Sequence, residues 1–112
     1  MRGLHVKLTF LPPAKGGRTP PPSFSGGLYR PHFRVGAEGE YLGVAFLDGP
    51  EHAAPDTEIE VAVALIYDVD YSVLQPSIEF EVFEGGRCVA TGRVIQSFDD
   101  DRNWHTVAQD SA

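Results

Sequence analysis

The sequence has a single cysteine, Cys88, so no intrachain disulfide can form and a reducing compartment is expected. No apolar run approaches the about 20 residues that a membrane-crossing helix needs. The opening Met-Arg-Gly-Leu-His-Val-Lys-Leu-Thr-Phe places His5 and Lys7 where the apolar stretch of a signal peptide belongs. A cytoplasmic location with no membrane partner is therefore expected. No Gly-x-x-x-x-Gly-Lys-[Ser/Thr] loop is present, so neither GTP nor ATP is expected to bind. Also lacking are a nucleophile with a base at recognisable spacing and a Cys/His metal set. The three aspartates at 99–101, with His105, lie outside any twelve-residue calcium loop with its closing Glu. The expectation is a protein without catalysis, cofactor or metal.

Acid is missing from one part of the chain. Residues 1–37 hold Arg2, Lys7, Lys15, Arg18, Arg30 and Arg34, and neither Asp nor Glu. Residues 38–112 hold all 16 acids against three arginines, a balance of −13, and the whole chain carries −7. Only the first third can supply a basic face for a polyanion, and DNA is not an expected partner. The alternative is ordinary solvated charge.

What is present suits one small β domain. The 112 residues fit a single domain, and 42 % hydrophobic residues suffice for a modest core. Twelve glycines and nine prolines argue for many turns and against a helical bundle. Val6, Leu8 and Phe10 alternate with His5, Lys7 and Thr9, the pattern of a strand with one wet face. A short strand is expected over residues 32–35, and another over 40–47 with Leu42, Val44 and Phe46 on one side. The clearest spans 57–68, where Ile59, Val61, Val63, Leu65 and Tyr67 repeat every two residues. Residues 68–75 read as either loop or short strand. Ile78, Phe80 and Val82 lead into Gly85-Gly86, a two-residue hairpin turn with positive φ expected at both glycines, and the return strand runs from Cys88 to about Ile95. Cys88 itself reads as a small packing residue. Period is lost after Gln96, so 1–97 is taken as the domain and 98–112 as an acidic tail, with Trp104 available to tack it down. Six strands and no helix suggest a small closed antiparallel barrel, which leaves no exposed sheet edge.

The connection at 15–34 is the most specific stretch: Lys-Gly-Gly-Arg-Thr-Pro-Pro-Pro-Ser-Phe-Ser-Gly-Gly-Leu-Tyr-Arg-Pro-His-Phe-Arg. Its prolines fix φ and remove donors, and its glycines permit positive φ, as in a long ordered loop between strands. Its residue order resembles Gly-Gly-Arg-His-Thr-Pro-Phe and Gly-Tyr-Arg-Pro-Gln-Phe of the C-terminal β-barrel domain of bacterial elongation factor Tu. Further along, Pro55-Asp56-Thr57 resembles that domain's Pro-Gly-Asp strand opening, and Ala64-Leu65-Ile66 its Glu-Leu-Ile. The segment from Phe80 through Glu84-Gly85-Gly86-Arg87 to Ala90 resembles its closing Phe-Ala-Ile-Arg-Glu-Gly-Gly-Arg-Thr-Val-Gly. The likeness covers roughly residues 4–96.

The resemblance implies a six-stranded antiparallel barrel, matching the strand count. In the family this domain touches the T-stem of aminoacyl-tRNA, the nucleotide-exchange factor and its own GTPase domain. The resemblance carries RNA- or partner-binding roles onto Arg18, Arg30, His32, Glu84, Gly85 and Arg87. His32 stands where the family has Gln, and nothing carries over at residues 36–43. Each residue also has a purely structural explanation: Gly85 as a turn residue, Glu84 and Arg87 as a pair across the turn, Arg30 as a loop staple. Two functions are expected as alternatives. One is a translation-related module making weak tRNA or protein contacts. The other is a barrel reused for an unrelated protein partner. The chain reads as a free-standing barrel or as one domain cut from a longer protein.

Overall fold

A computed structural model describes residues 1–15, 22–51 and 53–99. Six strands form a closed antiparallel barrel: β1 (Arg2–Phe10), β2 (His32–Arg34), β3 (Leu42–Asp48), β4 (Glu58–Leu65), β5 (Glu79–Glu84) and β6 (Arg87–Asp99), in the order β1-β4-β3-β2-β5-β6. Closure lets β1 pair with β4 on one side and β6 on the other, so neither is an edge. A single 3-10 turn, Pro13–Lys15, is the only helical element among the described residues. None of the described helices is long and apolar enough to cross a membrane.

The period-two reading holds over the central parts of β1, β3, β4 and β5. Leu4, Val6, Leu8 and Phe10 of β1 point inward with Ile59, Val61 and Val63 of β4, and all are buried. Leu42, Val44 and Phe46 of β3, Phe33 of β2, and Phe80 and Val82 of β5 complete the wall. Irregular segments then plug the two ends of the barrel. Phe24, from the long connection, packs 5.9 Å from Phe10 and 5.6 Å from Phe46 between ring centres. At the opposite end, Tyr71 and Leu74 close the core from the β4–β5 connection, which is loop throughout residues 68–75.

One interior contact is unusually demanding. Phe33 and Phe80 lie stacked, 4.1 Å between centres at 20°. Beside them stands Gly92 of β6, opposite Phe80 and Leu8 in the ladder. A Cβ at Gly92 would come within 2.6 Å of Leu8, 2.6 Å of the Lys7 carbonyl and 2.7 Å of the Phe80 ring. No side chain fits there without moving the backbone of β1.

Three details depart from the sequence reading. Strand β4 ends at Leu65, so Tyr67, expected on its core face, lies exposed in the connection that follows. The Gly85-Gly86 turn has positive φ only at Gly85, at 61°. That is the requirement of a type II′ turn, whose second central residue keeps negative φ. Strand β6 also continues past Ile95 through Phe98 to Asp99, pairing Gly3 with Phe98 and Arg2 with Asp99. A register shift beside Val6 breaks the alternation there, so the strand has no period to display. Phe98 lies over Gly3, whose missing side chain leaves room for the ring, and 4.9 Å from the ring of His5. His52, Trp104, His105 and the rest of the expected acidic tail lie outside the described residues.

Val63 is fully buried and pairs with Leu4 on one side and Phe46 on the other. Val63→Asp is expected to cost several kcal/mol, enough to unfold a domain of this size, because an unpaired carboxylate enters the core. Glu60→Ala, on the wet face of the same strand, should stay within about 1 kcal/mol. Equal melting of the two variants in a thermal denaturation would refute the register.

Candidate binding surface

The positions implied by the family resemblance are built by two short segments and a hairpin. The chain before β2 runs alongside β3: the Gly27 N–H donates to the Phe46 carbonyl, Phe46 N–H to the Tyr29 carbonyl and Val44 N–H to the Pro31 carbonyl. This fixes residues 27–31 as an irregular extension of β2. Tyr29 then donates its hydroxyl to Glu84 Oε2 at 2.6 Å, tying the loop to the β5–β6 hairpin. Arg30 donates its Nε to the Gly27 carbonyl at 2.7 Å, so it staples its own loop. Glu84 and Arg87 are ladder partners across the turn. His32 stands opposite Phe83. The fold thus gathers Arg30, His32, Glu84, Gly85 and Arg87 around neighbouring positions of β2, β5 and β6. Arg18 lies outside the described residues.

A second grouping lies on the outer face of β3, β2 and β5. His32 and Arg34 point outward because Phe33, between them, points in. Phe83 also points outward, and Tyr41 and the Arg34 side chain cover it. The Arg34 guanidinium sits 4.4 Å from the Phe83 ring centre and 5.3 Å from that of Tyr41, a cation within reach of both π systems. It also donates to the Tyr41 hydroxyl at 3.2 Å and pairs with Glu81 at 3.8 Å. Its Nε is buried with no hydrogen-bond partner. Tyr41 meets Phe83 edge-on at 5.2 Å and His32 at 6.2 Å.

Tyr67 extends this aromatic surface. Its ring occupies the space over Gly43 where a Cβ would otherwise stand, and Gly43 is the ladder partner of His32. The hydroxyl of buried Tyr71 holds it there, donating to the Gly43 carbonyl at 2.6 Å and accepting from the Tyr67 N–H at 3.1 Å. Burial raises the Tyr71 phenol above its ordinary range, so it stays neutral and able to donate. Tyr41 remains 49 % exposed and Tyr67 54 % exposed. Sequence reasoning set no role on Tyr41 or Phe83, and it placed Tyr67 on the core-facing side of the strand over 57–68, whereas β4 ends at Leu65 and Tyr67 turns outward beyond it. The only available signal was an aromatic at each of three chain-distant outward positions, which becomes a surface only once β2, β3 and β5 are adjacent.

The fold also redistributes charge. Lys7 of the acid-free first third lies 3.8 Å from Glu58 of β4, and Arg34 lies the same distance from Glu81 of β5. Arg93 pairs with Glu79 at 2.9 Å. Strands β1 and β2 therefore carry cations into the neighbourhood of carboxylates contributed by later strands. Such exposed pairs contribute little to stability, but each removes a charge from the far field.

Cys88, opposite Phe83 across the β5–β6 ladder, is half-buried. Burial, and then the nearby Glu81 carboxylate, push its thiol above the ordinary range. A nucleophilic thiol needs the opposite shift. No group of three or more metal-ligating side chains occurs among the described residues. No family model matches the sequence.

Two outcomes are expected. Tyr71→Phe strands the Gly43 carbonyl and the Tyr67 N–H, and should cost about 1–3 kcal/mol at neutral pH in a denaturant titration. The raised phenol also gives a sign for pH. Its contribution is present below the ordinary phenol pKa of about 10 and is lost as pH rises through the higher folded value. The variant should therefore lose less stability than the wild type between neutral and strongly alkaline pH. For Cys88, iodoacetamide should react more slowly than with a free thiol near pH 8, and Glu81→Gln should quicken it. A rate equal to free cysteine would contradict the shielding.

Proposed function

We propose that the protein is a non-catalytic binding module whose partner is another protein, docked on the aromatic outer face of β3, β2 and β5. One observation carries the reading: Tyr41 and Tyr67 are solvent-exposed yet held in fixed seats, by Phe83 and Arg34 in one case and by Gly43 and Tyr71 in the other. Rigid aromatics with polar tips are the side chains that concentrate binding energy at protein interfaces. Cations on β1, β2 and β6 stand opposite carboxylates, which leaves a polyanion little to follow across those strands. Capture with the wild-type protein and with a Tyr41→Asp/Tyr67→Asp bait tests it. A protein retained by the first at about 0.3 M salt and lost from the second supports the reading, since an apolar interface tolerates salt that dissolves phosphate contacts. A capture profile that is the same for both baits defeats it.

A second reading is a translation-related RNA contact, as the resemblance to the elongation factor Tu barrel implies. What favours it is the gathering of Arg30, His32, Glu84 and Gly85 into one neighbourhood. The chain's −7 charge opposes it. Aminoacyl-tRNA is expected to bind more weakly than about 10 μM at ~0.15 M salt, within the range of non-specific contact. A fluorescence titration with charged and uncharged tRNA measures this. Submicromolar binding that prefers the charged form, reduced by Arg30→Ala, would replace the protein reading with the RNA one.

A further inference from the structure

We propose that the segment docked on this face is arginine-rich: an extended, positively charged stretch of a partner protein whose guanidinium groups stack on Tyr41 and Tyr67. The inference rests on the binding-module reading and adds the chemistry of what is bound.

The surface already contains one copy of the contact, made within the chain. Arg34 lies over Phe83 and against Tyr41, with Glu81 answering its charge. This shows that ring faces and a carboxylate at this spacing accept a planar guanidinium. Phe83 is fully used by that contact, but about half of Tyr41 and of Tyr67 remains open to solvent. The exposed part of each ring offers the same quadrupole to a cation arriving from outside.

The rim has the complementary sign. Glu38 and Glu40 lie in the exposed β2–β3 hairpin immediately before Tyr41, and Asp68 and Asp70 follow Tyr67, also exposed. Residues 38–112, which supply Tyr41, Tyr67 and Phe83, carry the −13 balance. Arg34 is offset by Glu81, and exposed Arg30, just before β2, is outnumbered by Glu38, Glu40 and Asp68. A phosphate backbone would meet these carboxylates, and a neutral peptide would leave Glu38, Glu40 and Asp68 unanswered, whereas Asp70 already accepts from the Ser72 N–H and lies within the field of Arg2. Arginine fits better than lysine because its delocalised plane stacks on a ring while its N–H groups still reach carboxylates to the side. A compact ammonium, being more strongly hydrated, satisfies the charge and gains less from the ring.

The probes are a fluorescein-labelled peptide of four Arg-Gly repeats and matched Lys-Gly and Glu-Gly peptides, followed by anisotropy at two salt concentrations. The arginine peptide should bind about three- to fivefold more tightly than the lysine peptide, and the acidic peptide should not bind. Tyr67→Phe keeps the ring and should keep the affinity, whereas Tyr67→Leu keeps apolar bulk and should lose about three- to fivefold. Gly43→Ala should lose a similar factor, because a Cβ there takes the seat of the Tyr67 ring and forces the ring out of it. Amide shifts on peptide addition should centre on residues 41, 43 and 67, and the same spectra report whether each variant is folded. Equal arginine and lysine affinity with no effect of Tyr67→Leu would reduce the interaction to bulk charge and overturn the proposal. Shifts confined to another face, or no binding at about 1 mM peptide, would also overturn it. A natural partner lost from the Tyr41→Asp/Tyr67→Asp bait but lacking any basic segment would leave the binding-module reading standing and defeat this one alone.

Discussion

The stack of Phe33 on Phe80 beside Gly92 is the contact on which the surface arrangement depends. β2 has only three residues, too few to be held by its own ladder bonds alone. What anchors it is Phe33, which reaches the middle of the barrel and meets Phe80 face to face. The stack fits only because Gly92 presents no side chain to it. Once Phe33 is pinned inward, His32 and Arg34 have no choice of face, since neighbours along a strand point to opposite sides. The inner packing thereby decides what the outer face displays.

The two long connections act in a similar way at the barrel's ends. Phe24 enters the core at one end, and the chain that follows it runs beside β3 before becoming β2. Tyr71 enters at the other end, and its hydroxyl joins the β3 backbone to the Tyr67 backbone. Each loop is thus both a plug and a positioning device. The exposed Tyr67 owes its fixed seat to a buried neighbour four residues away, which explains how an exposed loop aromatic can be pre-organised enough to bind without a large ordering cost.

Much of the architecture was legible because a half-buried strand writes its period into the sequence. Val61, Val63 and Leu65 announce β4, and Val6, Leu8 and Phe10 announce β1, without knowledge of any partner. Legibility failed where local order was overridden by what lies across the ladder. The end of β6 is hidden by a bulge, and only Gly3 on the opposite strand gives Phe98 a reason to pack. The second glycine of the hairpin was expected to share the first one's positive φ, yet a type II′ turn needs just one. The neighbourhood of Arg30, His32 and Glu84 was reachable through the family resemblance. The seat of Tyr41, Phe83 and Tyr67 was not, because those residues are far apart in the chain and none is unusual alone.

Charge shows the same limit more sharply. Read along the chain, an acid-free third followed by an acid-rich remainder resembles a basic patch beside an acidic body. A closed antiparallel barrel removes that division, because β1 must lie between β4 and β6, and β2 between β3 and β5. Lys7 then faces Glu58, and Arg34 faces Glu81, so segregation in sequence becomes pairing in space. What survives is a net negative chain in which Lys7, Arg34 and Arg93 are answered by neighbouring carboxylates while Arg30 stays exposed just before β2. On the proposed docking, the net charge favours a cationic segment, and the exposed rings favour flat cations over compact ones. A partner chosen by these two properties together differs from the polyanion that the linear order of charges first suggests.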